Sequence, residues 1–198
     1  LEKIFNFIER DLTSSENLIY SSISAITEIN NQKVEGDFYV WNKNEIKNTL
    51  KDNYEIFSEY FNINEFGYWE KDKYILKREK DNSYFTKKFK ISNDKLENIL
   101  SKSLIDLNVI REKRVKPEID KKVITSWNAL TVIGLNDAFE ATGDKKYLKM
   151  ALEITEAIED NLIDDKLNIK RSLSISDEKI QFLEDYSYLI SAYLGLYQ

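Results

Sequence analysis

Two adjacent carboxylates, Glu184 and Asp185, offer acid–base chemistry at the start of the last helical pattern in the sequence. Burial can bring a carboxyl group to a pKa at which it donates or accepts a proton. Adjacent helical residues point about 100° apart, so the two cannot face one pocket. Catalysis by a pair of carboxyl groups would need a second one, which would come from Glu35 or Asp37, beside a predicted strand of alternating side chains. The structural alternative is that carboxylates in a first helical turn complement the helix dipole.

The residues that could bind a substrate are aromatic, polar or charged: Asp37, Tyr39, Trp41, Lys122, Trp127, Asn128, Arg171 and Tyr186. Aromatic rings can stack on sugar faces, although they also dominate ordinary cores. The two cations could bind an anionic group or be solvated surface charges. The amide of Asn128 lies among apolar residues, so it either ties a loop to a helix start or forms a polar pocket floor.

Composition limits the partners and the chemistry. The chain has 198 residues, which predicts one domain, residues 1–198, and its net charge is −6 with lysine and arginine spread throughout. That distribution argues against nucleic acid, and no apolar run is long enough for a membrane span. Cysteine and histidine are both absent, which argues against disulfides, thiolate chemistry and zinc and fits the cytoplasm. We therefore expect no metal and no cofactor.

The elements that position these residues are mostly helices, since the chain has one proline and five glycines. Apolar spacing predicts helices over residues 1–12, 43–51, 54–61, about twenty residues after Ser92, 145–162, and from about 181 to the end. Asn42 is the expected N-cap of the second helix, with Glu45 completing a capping box, and Asp144 is that of the 145–162 helix. Residues 38–41 predict a strand, 66–70 and 74–78 a hairpin, 82–90 a surface connection and 164–176 a polar return.

The longest apolar helix is predicted within residues 120–141. Ser126 is its expected N-cap and Gly143 its left-handed terminator. Apolar residues on more than one face predict that several neighbouring elements bury it. Both chain ends lie inside helical patterns, and Leu1 is not methionine, so we expect an excerpt from a longer protein.

Four short blocks occur in a characteristic order. They are EGDFYVW at 35–41, REKRVKP at 111–117, DKKVITSWN at 120–128 and LEDY at 183–186. On these blocks the chain resembles the thioredoxin-domain-containing family of the bacterial YyaL type, which includes spermatogenesis-associated protein 20. The resemblance covers nearly the whole chain.

This resemblance implies a mainly α fold. Family members look like a thioredoxin-like domain followed by an (α/α)6 toroid related to six-hairpin glycosidases and N-acylglucosamine 2-epimerases. The chain would then be a partial (α/α)6 toroid of antiparallel helical hairpins with a small β element, lacking the thioredoxin-like domain. In such a toroid the starts of inner helices line the central cleft. The implied partners are a sugar or sugar derivative and the thioredoxin-like domain of the full-length chain.

The chain also departs from the family pattern. Relatives tend to carry an acidic Asp-Ala-Asp segment where this chain has residues 22–27, Pro-His where it has Pro117-Glu118, and Asp-Asp-Lys where it has Asp120-Lys121-Lys122. The related epimerases use histidines as acid and base, which this chain lacks. Two functions stay open: a carbohydrate-binding or carbohydrate-processing domain, and a non-catalytic helical module that supports a thioredoxin-like domain or another partner.

Overall fold

A computed structural model describes residues 1–173 and 181–198. The helices are α1 (Glu2–Phe7), α2 (Lys43–Leu50), α3 (Tyr54–Tyr60), α4 (Asn82–Phe89), α5 (Asn93–Arg111), α6 (Thr125–Thr142), α7 (Lys145–Leu162) and α8 (Leu183–Tyr197). The strands are β1 (Tyr20–Ile23), β2 (Ile26–Ile29), β3 (Gln32–Glu35), β4 (Trp41–Asn42), β5 (Lys73–Tyr74) and β6 (Ile119–Val123). A π-helical turn, Ile8–Leu12, follows α1, and a 3-10 turn, Lys51–Asn53, joins α2 to α3. More than half of the described residues are helical, which confirms the mainly α prediction.

The chain divides into two compact units. Unit 1 contains residues 1–23 and 119–198, and unit 2 contains residues 24–118. The expectation of one domain stays a prediction. Within the described ranges, no helix is both long and apolar enough to cross a membrane.

Unit 1 is built on α6, which packs against both α7 and α8. Gly143 has φ +68° and ends α6, and Asp144 begins α7, so the chain reverses between two antiparallel helices. Asn136 in the middle of α6 donates to the carbonyl of Ala192 in the middle of α8. A Cβ on Gly195 would lie 2.9 Å from the Asn136 amide nitrogen, so glycine permits this close approach. Apolar side chains of α6, α7 and α8 form the core between these helices.

An antiparallel ladder, β1 with β6, precedes α6 and pairs Tyr20 with Val123. The predicted N-cap of α6 is wrong: the helix begins at Thr125, its N-cap position is Ile124, and no side chain of that residue caps it. Ser126 lies inside the first turn. The predicted polar return is non-helical as far as residue 173, and its last residues, 174–176, lie outside the described residues.

Unit 2 places α2, α3, α4 and α5 around a core that includes Trp41, Ile46, Phe57 and Leu96. The N-cap of α2 is Asn42, as predicted, because its side chain accepts from the Asn44 N–H at 2.8 Å. The side chain of Glu45 instead bonds Arg114. The predicted connection at residues 82–90 is wrong, since Asp81 caps α4 there and Phe85 is buried.

The predicted strand at residues 38–41 is also wrong over most of its length. Gly36 has φ +70°, and its carbonyl accepts from the N–H groups of Tyr39 and Val40, so the chain turns before β4 begins at Trp41. The predicted hairpin forms in part, with a single bridge between Tyr68 and Tyr74. Strand β5 pairs instead with β4, joining Trp41 to Tyr74.

Candidate functional site

Asp185 lies in the first turn of α8, and its side chain reaches the first turn of α6. Its Oδ1 accepts from the backbone N–H of Ser126 at 3.0 Å and from Arg171 Nη1 at 2.8 Å. The side chain is 1% exposed. A carboxylate at a helix start satisfies a free N–H and interacts favourably with the helix dipole. Asp185 thus performs the capping role that the sequence assigned to Ser126.

Arg171 connects the starts of α6 and α8. Its Nη1 donates to Ser126 Oγ at 3.0 Å, and it forms ion pairs with both Asp185 and Glu184. Its guanidinium lies 4.9 Å from the centre of the Phe182 ring. Burial acts to lower the pKa of the Arg171 guanidinium, but hydrogen bonds and charge from Glu184 and Asp185 outweigh it and raise that pKa. Arg171 therefore remains a cation held between two carboxylates.

Glu184 and Trp127 remain available to solvent at the same end of unit 1. The Glu184 side chain is 49% exposed, and Trp127, next to Ser126 in the first turn of α6, is 48% exposed. The second oxygen of Asp185, Oδ2, is buried and accepts no hydrogen bond from the described chain. The two neighbouring carboxylates thus differ in role, because Glu184 can contact a ligand and Asp185 is enclosed.

Asn128 has a structural role in unit 1. It is buried, its Oδ1 accepts from the Ile19 N–H at 2.7 Å, and its Nδ2 donates to the carbonyls of Ile19 and Ile124. These bonds tie the segment before β1 to the start of α6. Of the two interpretations that the sequence left open, the contacts match the amide that ties a loop to a helix start.

Tyr186 and Lys122 have modest roles in unit 1. The Tyr186 hydroxyl accepts from the Ile169 N–H at 3.3 Å, and its ring packs on the core. Lys122 is mostly exposed and pairs with Asp120. Exposed pairs of this kind contribute at most about 1 kcal/mol. Lys122 therefore matches the solvated-charge interpretation.

The candidate residues of unit 2 surround Arg114. Its Nη1 donates to the carbonyls of Phe38 and Val40 at 2.9 and 2.7 Å, and its Nη2 to Glu45 at 2.7 Å. Its guanidinium stacks 4.2 Å from the ring centre of Trp41, which is buried. Arg114 thereby fixes the turn that follows Gly36.

The remaining candidates of unit 2 lie around this turn. Asp37 forms an ion pair with Lys73, whose pKa is lowered by burial and by the nearby charge of Arg114. Tyr39 is about half-exposed and packs edge-on against Phe38. Glu35 is exposed at the end of β3. The ring of Trp41 is enclosed, so Tyr39 is the aromatic candidate of unit 2 with a free face.

The structure thus groups some of the candidates around two arginines. Arg171 brings together Glu184 and Asp185 at the helix start that carries Trp127, and Arg114 brings together Trp41 and the turn that contains Asp37 and Tyr39. The convergence of a unit 2 carboxylate with Glu184 or Asp185 stays a prediction. Sequence reasoning missed Arg114 as a site residue, because a charged stretch gives no periodic signal that singles out one partly buried arginine.

Among residues 1–173 and 181–198, no group of three or more aspartate, glutamate, histidine or cysteine side chains is placed to hold a metal ion. The side chains of the Arg171 group can form hydrogen bonds and can stack on a ligand. A half-exposed carboxylate accepts hydrogen bonds from hydroxyl groups, a guanidinium donates hydrogen bonds to oxygen atoms, and an exposed indole offers a flat apolar face.

The chain has sequence similarity to a curated protein. No family model matches the chain. The curated Caenorhabditis elegans protein named "Uncharacterized protein B0495.5" is 30% identical over 190 residues, which cover 83% of this chain and 26% of that protein. The chain thus spans about a quarter of the length of the curated relative it matches.

Proposed function

We propose that the end of unit 1 at which α6 and α8 begin binds carbohydrate. The observation that carries this proposal is the position of Arg171, which bonds Ser126 of α6 and both carboxylates of α8. The half-exposed carboxylate of Glu184 at the start of α8 and the half-exposed indole of Trp127 at the start of α6 therefore lie at the same end of unit 1. Sugars are recognised by such combinations, since their hydroxyls need polar partners and their C–H faces pack on aromatic rings.

Each residue has a distinct role in this proposal. Glu184 accepts hydrogen bonds from sugar hydroxyls, and Arg171 donates to a sugar oxygen while keeping Glu184 in place. Trp127 is the stacking surface. Asp185 is a positioning residue that holds Arg171 and the start of α6. If the site is catalytic, Glu184 is its exposed acid or base.

We also propose the partial toroid as the finer description of the fold. Asp185 at the start of α8 contacts Ser126 at the start of α6. Asn136 in the middle of α6 contacts Ala192 in the middle of α8. The two helices therefore run parallel. The intervening α7 runs antiparallel. An α/α toroid alternates inner and outer helices in this manner, and inner helices are parallel to one another. The resemblance to the YyaL-type family supports this view, with a thioredoxin-like domain as partner in a longer chain and the cytoplasm as its location.

The second candidate function is a helical module without catalysis, which supports a thioredoxin-like domain. The observation in its favour is that Asp185 and Asn128, two polar residues inside apolar blocks, are engaged in internal hydrogen bonds. Polar groups used in this way stabilise the fold and do not require a ligand.

A thermal-shift screen against monosaccharides, disaccharides and sugar phosphates tests the proposal. A ligand at a hundred times its dissociation constant adds about 2.7 kcal/mol to the free energy of unfolding. Glu184→Gln should lose this response. Glu140→Gln, an exposed carboxylate near the other end of α6, is the matched control and should keep it.

The outcomes separate the two functions. A sugar response that depends on Glu184 but not on Glu140 supports the carbohydrate site. A sugar response that is equal in wild type and Glu184→Gln contradicts the role assigned to Glu184. The absence of any response across the panel on the full-length protein favours the helical module.

A further inference from the structure

A groove lies in unit 1 between α7 and the segment formed by α1 and the π-helical turn. Its volume is about 410 Å³, within the range of small-molecule sites. Its apolar lining comes from Phe5, Met150 and Ile154, which are buried. The groove is lined by residues 5–17 and 146–154, so it contains none of the residues around Arg171.

The π-helical turn, Ile8–Leu12, forms one wall of this groove. A π turn closes i to i+5 hydrogen bonds, is wider than an α turn, and occurs frequently at functional sites. Thr13, which lines the groove, donates from its hydroxyl to the carbonyl of Ile8 at 3.0 Å, five residues earlier. The wall is therefore fixed by a specific hydrogen bond at the end of the π turn.

The charged side chains that line the groove differ in whether they have an ion-pair partner. Lys146 pairs with Asp144 at 3.2 Å and with Glu2 at 3.5 Å, and Lys149 pairs with Glu153 at 3.5 Å. Glu9 lines the groove and has no ion-pair or hydrogen-bond partner for its side chain in the described chain. Each lysine of the groove thus faces a carboxylate, whereas the Glu9 carboxylate has no such partner.

Two amides complete the polar lining. Asn6 and Asn17 line the groove, are exposed, and make no side-chain hydrogen bond to a described residue. An ammonium group has three donors and no acceptor, and it is matched by a carboxylate and amide oxygens. The net charge of the chain, −6, also favours a cation over an anion.

We propose that this groove binds a primary aliphatic amine. The alkyl chain packs on the accessible parts of Phe5 and Met150, and the ammonium group faces Glu9 with the amides of Asn6 and Asn17 beside it. This binding is independent of the carbohydrate site.

The test is an NMR titration of the isotopically labelled protein with hexylamine, using hexan-1-ol and hexanoate as matched probes of equal chain length. The side-chain amide signals of Asn6 and Asn17 report on the groove. We expect hexylamine to shift both signals and to bind at least about threefold more tightly than hexan-1-ol, since an ammonium–carboxylate contact adds to the same apolar burial. Hexanoate should bind more weakly than either.

Two variants complete the experiment. Glu9→Gln should remove the preference for the amine over the alcohol, and Asn17→Gly, at a residue with φ +61°, removes the amide without backbone strain and should weaken amine binding. Glu156→Gln changes an exposed carboxylate of α7 outside the groove and should bind hexylamine as the wild type does. The proposal is overturned if hexylamine shifts neither amide at tens of millimolar, if hexan-1-ol binds equally well, or if Glu9→Gln retains the preference.

Discussion

Asp185 Oδ1 on α8 lies 3.0 Å from the backbone nitrogen of Ser126 on α6, so one helix supplies the N-terminal cap of another. The same oxygen accepts from Arg171. A buried charge is stable only when it is paired and hydrogen-bonded. This contact explains why a charged residue lies inside the apolar packing of α8, and it leaves the neighbouring Glu184 as the carboxylate that faces solvent.

The first prediction concerns this cap. Asp185→Ala should lower the free energy of unfolding by about 3 kcal/mol or more, because it leaves Arg171 without its buried partner and the Ser126 N–H unsatisfied. Asp185→Asn should cost less, since an amide oxygen can still accept from Ser126. Urea unfolding followed by circular dichroism measures both.

Glu184→Ala is the matched control for this comparison. Its side chain is about half-exposed, so its loss should cost below about 1 kcal/mol. A larger loss of stability in Glu184→Ala than in Asp185→Ala would contradict the roles assigned to the two carboxylates.

The second prediction concerns Asn128. Asn128→Ala should destabilise unit 1 by about 3 kcal/mol, because it leaves the N–H and carbonyl of Ile19 without their partner in a buried region. Hydrogen exchange should accelerate first at Ile19 and at the start of α6. Asn161→Ala removes an amide that is half-buried and bonds only within its own helix, and it should cost much less. Equal losses in the two variants would refute the structural role of Asn128.

The third prediction concerns unit 2. Arg114→Ala should lower the free energy of unfolding by about 2–4 kcal/mol, because three backbone carbonyls, Glu45 and the face of Trp41 all lose their contact with the guanidinium. Arg114→Lys should recover only part of this loss, since an ammonium cannot reproduce the planar fork of donors. Lys113→Ala, an exposed neighbour, serves as control. Full recovery of stability by lysine would show that charge alone matters at this position.

The fourth prediction concerns pH. The backbone N–H and then the ammonium group of Lys146 hold the pKa of Asp144 below its ordinary value of 3.8, since both favour the ionised cap of α7. The stabilisation is therefore present above that ordinary value and is lost as pH falls through the lower pKa of the folded state. Asp144→Asn keeps a capping oxygen without the charge. Wild type should exceed this variant in urea midpoint near neutral pH, and the difference should shrink in acid. A difference independent of pH would be inconsistent with the ionised cap.

The sequence predicted the elements whose signals are local. Asn42 and Asp144 cap the helices that they were expected to cap, and Gly143 ends α6 in a left-handed conformation. A capping side chain bonds an N–H two or three residues away, so its signal lies within the sequence window that contains the helix. The mainly α composition follows from these same patterns.

Contacts between distant residues could not be predicted in this way. Ser126 has the right side chain for a cap, yet Asp185, 59 residues later, performs that role. Residues 38–41 have strand-like composition, but the left-handed backbone of Gly36 starts a turn there. Residues 82–90 are polar in sequence, but they form the short helix α4. The buried ring of Phe85 attaches this helix to the core. For the candidate site, the residue types were found from sequence, but the difference in burial between Glu184 and Asp185 needed the packing of two helices.

The most direct test of the carbohydrate site is to follow the three tryptophan indole N–H signals by NMR during sugar titrations. Trp127 lies half-exposed at the start of α6, Trp69 is half-exposed in unit 2, and Trp41 is buried beneath Arg114. Assignment by single Trp→Phe variants makes each signal a separate reporter. We predict that a binding sugar shifts the Trp127 signal in wild type, and that Glu184→Gln weakens this effect. A sugar that binds while the Trp127 signal stays unchanged would contradict the proposed site.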